Sequence, residues 1–223
     1  MVIKSEEDVY RFYNEVFKLL YADLVAVTAQ KSEQVSFELQ ACLDHIVVAQ
    51  TCNDTAISED NFRKAHGHLV RASLDCAKLL WIELKNRAKV FLDDKEVMEL
   101  AHNSSMDKCY STYKEAEDLS KEARRLESQN SGISPEDTID IWYKAIEALN
   151  RFIEMFVESK VTSVKKVRKN KALKDRIVDI LISFIVGTIV TVLLGYMTNT
   201  FEIKKPDFLV NILYSDSETV LDK

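Results

Sequence analysis

Two kinds of hydrophobic pattern divide the chain. Before residue 160, apolar residues recur every three or four positions, which predicts amphipathic helices that each bury one face. Residues 177–198, IVDILISFIVGTIVTVLLGYMT, are apolar on nearly every side, and Asp179 is the only charged residue among them. At 1.5 Å per residue they extend about 33 Å, enough to cross a hydrocarbon core of about 30 Å. The pattern predicts an all-α protein, with a helical bundle followed by one transmembrane helix.

Local signals divide the region before residue 160 into helices. Ser5 opens the first predicted helix, with Asp8 three residues later in a capping-box-like position. A second helix is predicted over 32–50. Its predicted apolar stripe consists of Val35, Leu39, Leu43, Ile46 and Val47.

Two further helices are predicted after a loop at 51–58. Ser58 is predicted to cap the third helix, because two acidic residues follow it in the first turn, where the helix dipole favours them. The third helix is predicted to end near Leu92 and to bury a face formed by Phe62, Leu69, Leu80, Leu84 and Phe91. A fourth, more polar helix is predicted over 94–128.

The last predicted helix begins at Ser134 and Pro135, which are the preferred cap and first helical residue. Apolar residues then follow at steps of three and four, with one five-residue step between Phe156 and Val161. The series resembles a coiled-coil seam and comprises Ile139, Trp142, Ile146, Leu149, Ile153, Phe156, Val161, Val164 and Val167. Packing within the protein's own bundle explains it equally well. Because no Gly or Pro interrupts it, we expect one helix to continue into the span, about 95 Å in all.

Composition narrows the fold class and the compartment. The 223 residues include 4 Gly and 2 Pro, too few for the turns of a β-sandwich, a barrel or a Rossmann unit. No secretory segment is evident near the N-terminus, and the cysteines have no zinc-ligand spacing, so we expect reduced, structural thiols. They are Cys42, Cys52, Cys76 and Cys109. We also expect no metal and no cofactor, because phosphate-loop, metalloprotease and serine-hydrolase motifs are lacking.

Charge predicts how the chain is oriented in a membrane. Segment 160–176 carries eight basic residues and one acidic residue, a net charge of +7, whereas 1–159 has a net charge of −10. By the positive-inside rule, the bundle at 1–159 is cytoplasmic, 177–198 spans the membrane, and the tail at 199–223 is extracytoplasmic. The net charge of the whole chain, −6, argues against a general nucleic-acid binder.

The basic juxtamembrane segment is predicted to contact anionic lipid headgroups. A nucleic-acid patch is the competing interpretation, but the position directly before the span favours lipid. The predicted contact residues are Lys165, Lys166, Arg168, Lys169, Lys171, Lys174 and Arg176.

Small and polar residues recur at every fourth position inside the span. They are Asp179, Ser183, Gly187, Thr191 and Gly195. Successive members drift about 40° around an α-helix, so the five form one slowly winding stripe. Small residues at this spacing allow two helix backbones to approach closely, and an ionisable residue in a span usually faces protein, water or headgroups. We expect self-association through this stripe, although chance spacing is the alternative, and a polar-lined pore is its extension.

One short motif could carry catalysis. Arg63-Lys64-Ala65-His66-Gly67-His68 fits the pattern R-x4-H and resembles the signature of HEPN domains, which are small helical bundles that often dimerise and in many members cleave RNA. The resemblance implies that Arg63 and His68 are catalytic, with His68 transferring a proton and Arg63 stabilising phosphate charge. Lys64 departs from the polar residue common after the arginine. The five-residue spacing separates Arg63 and His68 by about 140°, so they do not converge within one chain, and His66 is predicted to be a core residue.

A HEPN-like bundle on a single span resembles small membrane-bound accessory proteins of bacterial antiviral systems. The resemblance implies a homo-oligomer in the bacterial inner membrane that perturbs or permeabilises the membrane during phage infection. Two alternatives stay open. One is a membrane-tethered HEPN ribonuclease, the only alternative with a nucleic-acid partner. The other is a scaffold or sensor whose acidic bundle recruits an unidentified protein.

Overall fold

The computed structural model describes residues 5–129 and 136–200, and side chains as far as residue 195. Within these ranges every element is helical, and the one extended feature is an isolated bridge between His102 and Phe156. The all-α prediction is therefore confirmed. The helices are α1 (Glu6–Phe12), a π-helical turn (Tyr13–Phe17), α2 (Lys18–Thr28), α3 (Glu33–Thr51), α4 (Thr55–Leu92), α5 (Lys95–Leu100), α6 (Met106–Gln129), α7 (Glu136–Glu154) and α8 (Glu158–Thr200).

Helix α1 begins as the sequence predicts. The Ser5 hydroxyl accepts a hydrogen bond from the Asp8 backbone N–H at 3.4 Å, and it donates one to the Asp8 carboxylate at 3.0 Å. The chain continues through the π-helical turn into α2. Helix α2 ends at Thr28, and the next residue, Ala29, has a φ of 54°, in the left-handed region that commonly terminates helices.

The start of α4 differs from the prediction. Asp54, not Ser58, is the cap: its carboxylate accepts hydrogen bonds from the backbone N–H groups of Ala56 and Ile57, at 2.8 and 3.2 Å. Ser58 lies inside the helix and donates to the Ala49 carbonyl oxygen at 2.8 Å. The predicted loop at 51–58 is therefore shorter, and α4 ends at Leu92 as predicted.

The predicted helix over 94–128 is wrong, because the structure contains α5 and α6 separated by residues 101–105. The interruption pairs with the α7–α8 junction. The Asn103 N–H donates to the Met155 carbonyl at 3.0 Å, and the Val157 N–H donates to the Ala101 carbonyl at 2.9 Å. These backbone groups bond across the bundle in place of continuing a helix.

The prediction of a long C-terminal helix that continues into the apolar segment is confirmed by α8, but the expectation that this helix runs unbroken from the beginning of the seam is wrong. Helix α7 ends at Glu154 and α8 begins at Glu158, so the break coincides with the five-residue step between Phe156 and Val161. The Phe156 ring fills the interruption: it stacks on Phe91 with the ring centroids 4.4 Å apart. The ring is buried in the bundle, and this burial stabilises the segment between the two helices.

Most apolar residues of α7 pack inside the bundle, which supports the interpretation that the seam belongs to the protein's own core. Trp142 is fully buried, and its ring centroid lies 6.2 Å from that of Trp81 on α4. The predicted apolar face of α4 is likewise buried or packed against the core. On α3 the prediction is partly wrong: Val35 and Ile46 are buried, but Leu43 and Val47 are exposed.

The chain divides into two compact units, Met1–Lys165 and Lys166–Lys223. The first contains α1 to α7 and the beginning of α8. The described part of the second is the remainder of α8, up to residue 200. The predicted cap at Ser134 and Pro135, and the tail from residue 201, lie outside the described residues.

Candidate functional site

The apolar part of α8 is exposed along its whole described length. Every side chain from residue 177 to 195 is exposed, and the Glu158–Gly195 helix contains an 18-residue window with a mean hydropathy of 2.6 of which none is buried. Apolar surface is unfavourable in water by about 25 cal/mol per Å². This helix is long and apolar enough to cross a membrane, as the sequence predicts.

The five residues of the span stripe all lie on this exposed helix. The Thr191 hydroxyl donates to the Gly187 carbonyl oxygen at 2.8 Å, so its polar hydrogen is satisfied within the helix. A Cβ atom built on Gly187 or Gly195 would meet no atom within 4 Å. No described residue therefore requires glycine at these two positions, and both leave flat backbone surface that another helix can approach.

The seven predicted lipid-contact residues are also exposed, and we call them the basic collar. At about 100° per residue, Lys174 lies on the opposite side of α8 from Lys165, and Lys171 lies between them. A helix that rests flat on a membrane carries its basic residues on one side. The basic collar, with basic residues on all sides of α8, does not have that one-sided pattern.

Arg63, the first residue of the HEPN-like motif, is engaged by a carboxylate on its own helix. Its guanidinium forms an ion pair with Asp60, and Lys64 Nζ lies 2.7 Å from the other oxygen of the same carboxylate. Hydrogen bonds from Lys64 and from Arg63 lower the pKa of Asp60. The Arg63 side chain remains largely exposed, on a side of α4 that is separate from His68.

His68 lies in a polar cluster between α3 and α4. Its Nδ1 atom is 2.7 Å from Glu38 Oε2, and Arg71 Nε donates to the same oxygen at 3.1 Å. Because a carboxylate only accepts, we assign the Nδ1 proton of His68 to this bond. Arg71 Nη2 also lies 2.7 Å from Nδ1, but both nitrogens carry protons in this assignment, so that approach is a contact and not a hydrogen bond.

A second imidazole completes the cluster. The ring centroids of His45 and His68 are 5.2 Å apart in a stacked arrangement. The Asn61 amide donates to the Ile57 carbonyl at 2.8 Å, which leaves its oxygen to accept from His45 Nδ1 at 2.9 Å. Both imidazoles thus have their Nδ1 atoms committed to side chains of the bundle.

The sequence places Arg71 beside His68, since the two are three residues apart on α4, but it does not identify the residues that α3 contributes. Glu38 and His45 are seven residues apart, as are Asn61 and His68, so each pair shares one side of its helix. No local signal indicates that these two sides face each other. Arg63 and His68 are not brought together within the described chain.

The remaining candidate groups are structural. His66 is buried, as predicted, with its ring 4.6 Å from that of Phe12, and burial lowers its pKa. All four cysteines are free. Burial raises the pKa of Cys42 to about 11 and that of Cys76 to about 12, so neither is a thiolate nucleophile at neutral pH. Within residues 5–129 and 136–200 no group of three metal-ligating side chains is assembled.

No protein-family model, curated protein or solved structure matches the chain. The HEPN resemblance therefore depends on the six-residue motif and its helical context. The best-supported site is α8 itself, with its exposed apolar surface, its stripe and the basic collar.

Proposed function

We propose that this protein is an oligomeric single-pass membrane protein whose span perturbs or permeabilises the bacterial inner membrane, with the bundle in the cytoplasm. One observation carries the proposal: the apolar surface of α8 is exposed on all sides and is preceded by basic residues on all sides. A lipid bilayer solvates the first surface, and its anionic cytoplasmic leaflet attracts the second. Antiphage defence is the proposed context.

Self-association through the span stripe follows from the two glycines. Each Gly costs about 1 kcal/mol of helix stability relative to Ala, and here no described contact requires a glycine. Close approach of another α8 explains glycine at both positions, because van der Waals contact between helix backbones drives association in lipid. In the assembled state, the stripes from Asp179 to Gly195 line or seal the central contact.

Mass photometry of the full-length protein in lipid nanodiscs tests this proposal. We expect a discrete high-order species, and we expect Gly187→Leu to shift it towards monomers and to abolish dye release from liposomes. Thr188→Leu is the matched control, since it adds bulk one residue away but about 100° off the stripe. A Gly187→Leu variant that keeps its oligomer size and dye release contradicts the proposal.

A membrane-tethered ribonuclease is the second candidate, and the observation that favours it is the environment of His68. Glu38 orients the imidazole through Nδ1, as a carboxylate does in many acid–base sites, and Arg71 supplies a nearby cation. The exposed Arg63 would then have to act across a dimer. Cellular RNA integrity tests this function: His68→Ala and Arg63→Ala should each stop cleavage, while Arg125→Ala should not. Cleavage that survives both substitutions excludes it.

A further inference from the structure

The outer side of α3 carries a large apolar surface. Its exposed apolar side chains are Phe37, Leu43, Val47 and Val48, with 63%, 59%, 50% and 46% of their surfaces accessible. Asp44 is exposed among them. At about 100° per residue these five residues lie within roughly 140° of the helix circumference. We call them the α3 face.

Helix α3 is thus apolar on two sides. Val35, Cys42, Ile46 and Ala49 point into the core and satisfy the need for burial, yet the opposite side carries four more large apolar side chains. No described residue covers them. The outer side of a helix in a soluble bundle is ordinarily polar, so four large apolar side chains exposed together there, with Ser36 and Gln40 among them, indicate an interaction surface.

The charge of α3 narrows what can bind there. The helix carries Glu33, Glu38 and Asp44 and has no Lys or Arg. Glu38 is engaged by His68 and Arg71. Neither Glu33 nor Asp44 forms an ion pair among the described residues, and Asp44 lies near the middle of the α3 face. The charged residues of α3 are therefore all carboxylates; Ser36 and Gln40, exposed on the same side as the α3 face, are uncharged, and the cation Lys31 precedes the helix.

Three possible occupants fit this charge poorly. An anionic membrane surface would be repelled by Glu33 and Asp44. A second copy docked across a two-fold axis would bring both Asp44 carboxylates together near its centre. A purely apolar helix would bury Asp44 without a partner, which is strongly unfavourable. The occupant that fits both features therefore combines an apolar surface with cationic side chains.

We propose that the α3 face binds an amphipathic helix of a partner protein, in which Lys or Arg residues flank the apolar anchors. Phe37 and Val48 are eleven residues apart, so the face is about 16 Å long and matches three turns of a bound helix. The partner's cations pair with Asp44 and Glu33 while its apolar residues cover Leu43 and Val47. This binding activity goes beyond the proposed membrane activity, since the span can assemble without it.

A pair of synthetic peptides tests the proposed chemistry directly. Both are fluorescent, helical and about five turns long with one leucine face; one carries Lys on its flanks and the other carries Glu. Binding to the full-length protein in phosphatidylcholine nanodiscs is measured by fluorescence anisotropy, with empty nanodiscs as background. We expect the Lys peptide to bind at least about tenfold more tightly than the Glu peptide.

Substitutions assign that binding to the α3 face. Leu43→Ser combined with Val47→Ser should weaken the Lys peptide about tenfold, whereas Ile82→Ser, at a comparably exposed apolar position on α4, should leave it unchanged. Asp44→Lys should reverse the preference between the two peptides. Equal affinity for both peptides, an unreversed preference, or an equal effect of Ile82→Ser overturns the proposal. One further outcome also overturns the proposal. If the protein self-associates, and Leu43→Ser abolishes this association while neither peptide disrupts it, the α3 face binds a second copy of the chain.

Discussion

Helices α7 and α8 follow each other along the chain with only Met155–Val157 between them, yet the burial of their apolar residues is opposite. Helix α7 concentrates its apolar residues on one side, buries them against α4 and α6, and exposes a charged side to water. From residue 177 to 195, α8 has apolar residues on every side and buries none. The distribution of apolar residues around a helix, more than their number, indicates which solvent it needs.

Two isoleucines make the comparison concrete. Ile82 on α4 and Ile185 on α8 are almost equally exposed, at 53% and 55%. Ile82 is followed by Glu83 and lies near other charged residues of its own helix. Ile185, in contrast, lies in a segment, 180–195, that contains no charged residue. The exposed fraction of one side chain therefore does not distinguish the surface of the bundle from the apolar surface of α8, but the residues around that side chain do.

The largest expected effect lies in the bundle. Trp142→Ala removes a fully buried indole that packs near Trp81, so it should lower the free energy of unfolding by about 3–5 kcal/mol. Urea titration followed by far-UV circular dichroism measures the change. The neighbouring Tyr143→Ala, at a partly exposed position, is the control and should cost less than about 1 kcal/mol. If both variants lost the same free energy of unfolding, α7 would not pack against the bundle through one side only.

The next effect separates the two isoleucines. Ile185→Arg puts a guanidinium near the middle of the span and should disfavour membrane insertion by about 3 kcal/mol. Ile82→Arg should have almost no effect on insertion or stability, because about half of that side chain is already exposed to water. The fraction of protein that resists alkaline extraction from membranes measures insertion. If both variants stay equally membrane-bound, α8 is not a lipid-facing helix.

A smaller effect concerns the start of α4. Asp54→Ala removes an acceptor for two backbone N–H groups and should cost about 1 kcal/mol of bundle stability. Asp54→Asn keeps a capping oxygen and should restore most of it. Chemical denaturation of the three proteins side by side gives the comparison. A full loss in the Asn variant would indicate that charge, and not capping geometry, is the important property.

The smallest effect is a dependence on pH. Because burial lowers the pKa of His66, protonating it favours the unfolded bundle, and stability is lost as pH falls below about 6.5, the ordinary histidine value. The unfolding midpoint should therefore fall between pH 7 and pH 5, and His66→Gln should reduce that fall. The span contributes nothing to this difference, since no histidine lies in it. An identical pH dependence in both proteins would contradict the assignment.

Patterns that lie within one helix were predictable, and pairings between distant segments were not. The period of Leu69, Leu80 and Leu84 indicates α4 and its buried side directly. The break between α5 and α6 was not predictable, because Asn103 bonds to Met155 some fifty residues away. Ser58 and Asp54 are both good capping residues, and local sequence does not decide between them.

The candidate sites divide in the same way. The long apolar helix and the exposure of the basic collar could be predicted, because composition and helical periodicity define them without any tertiary contact. The surroundings of His68 required α3 and α4 to be aligned side by side, so that Glu38 and His45 meet it. Leu43 and Val47 match a buried stripe by spacing, yet both are exposed because the core-facing side of α3 is centred on Cys42 and Ile46.

Helix α4 contacts α1, the π-helical turn, α2, α3, α5 and α7, and α6 joins it through ion pairs from Lys78 to Glu127 and from Lys85 to Glu117. A bundle organised around one central helix has no half that retains a core of its own when the other half opens. The bundle formed by α1 to α7 should consequently unfold in a single cooperative transition. Partial proteolysis of the native bundle should yield an intact protein or short peptides, with no stable fragment of intermediate size.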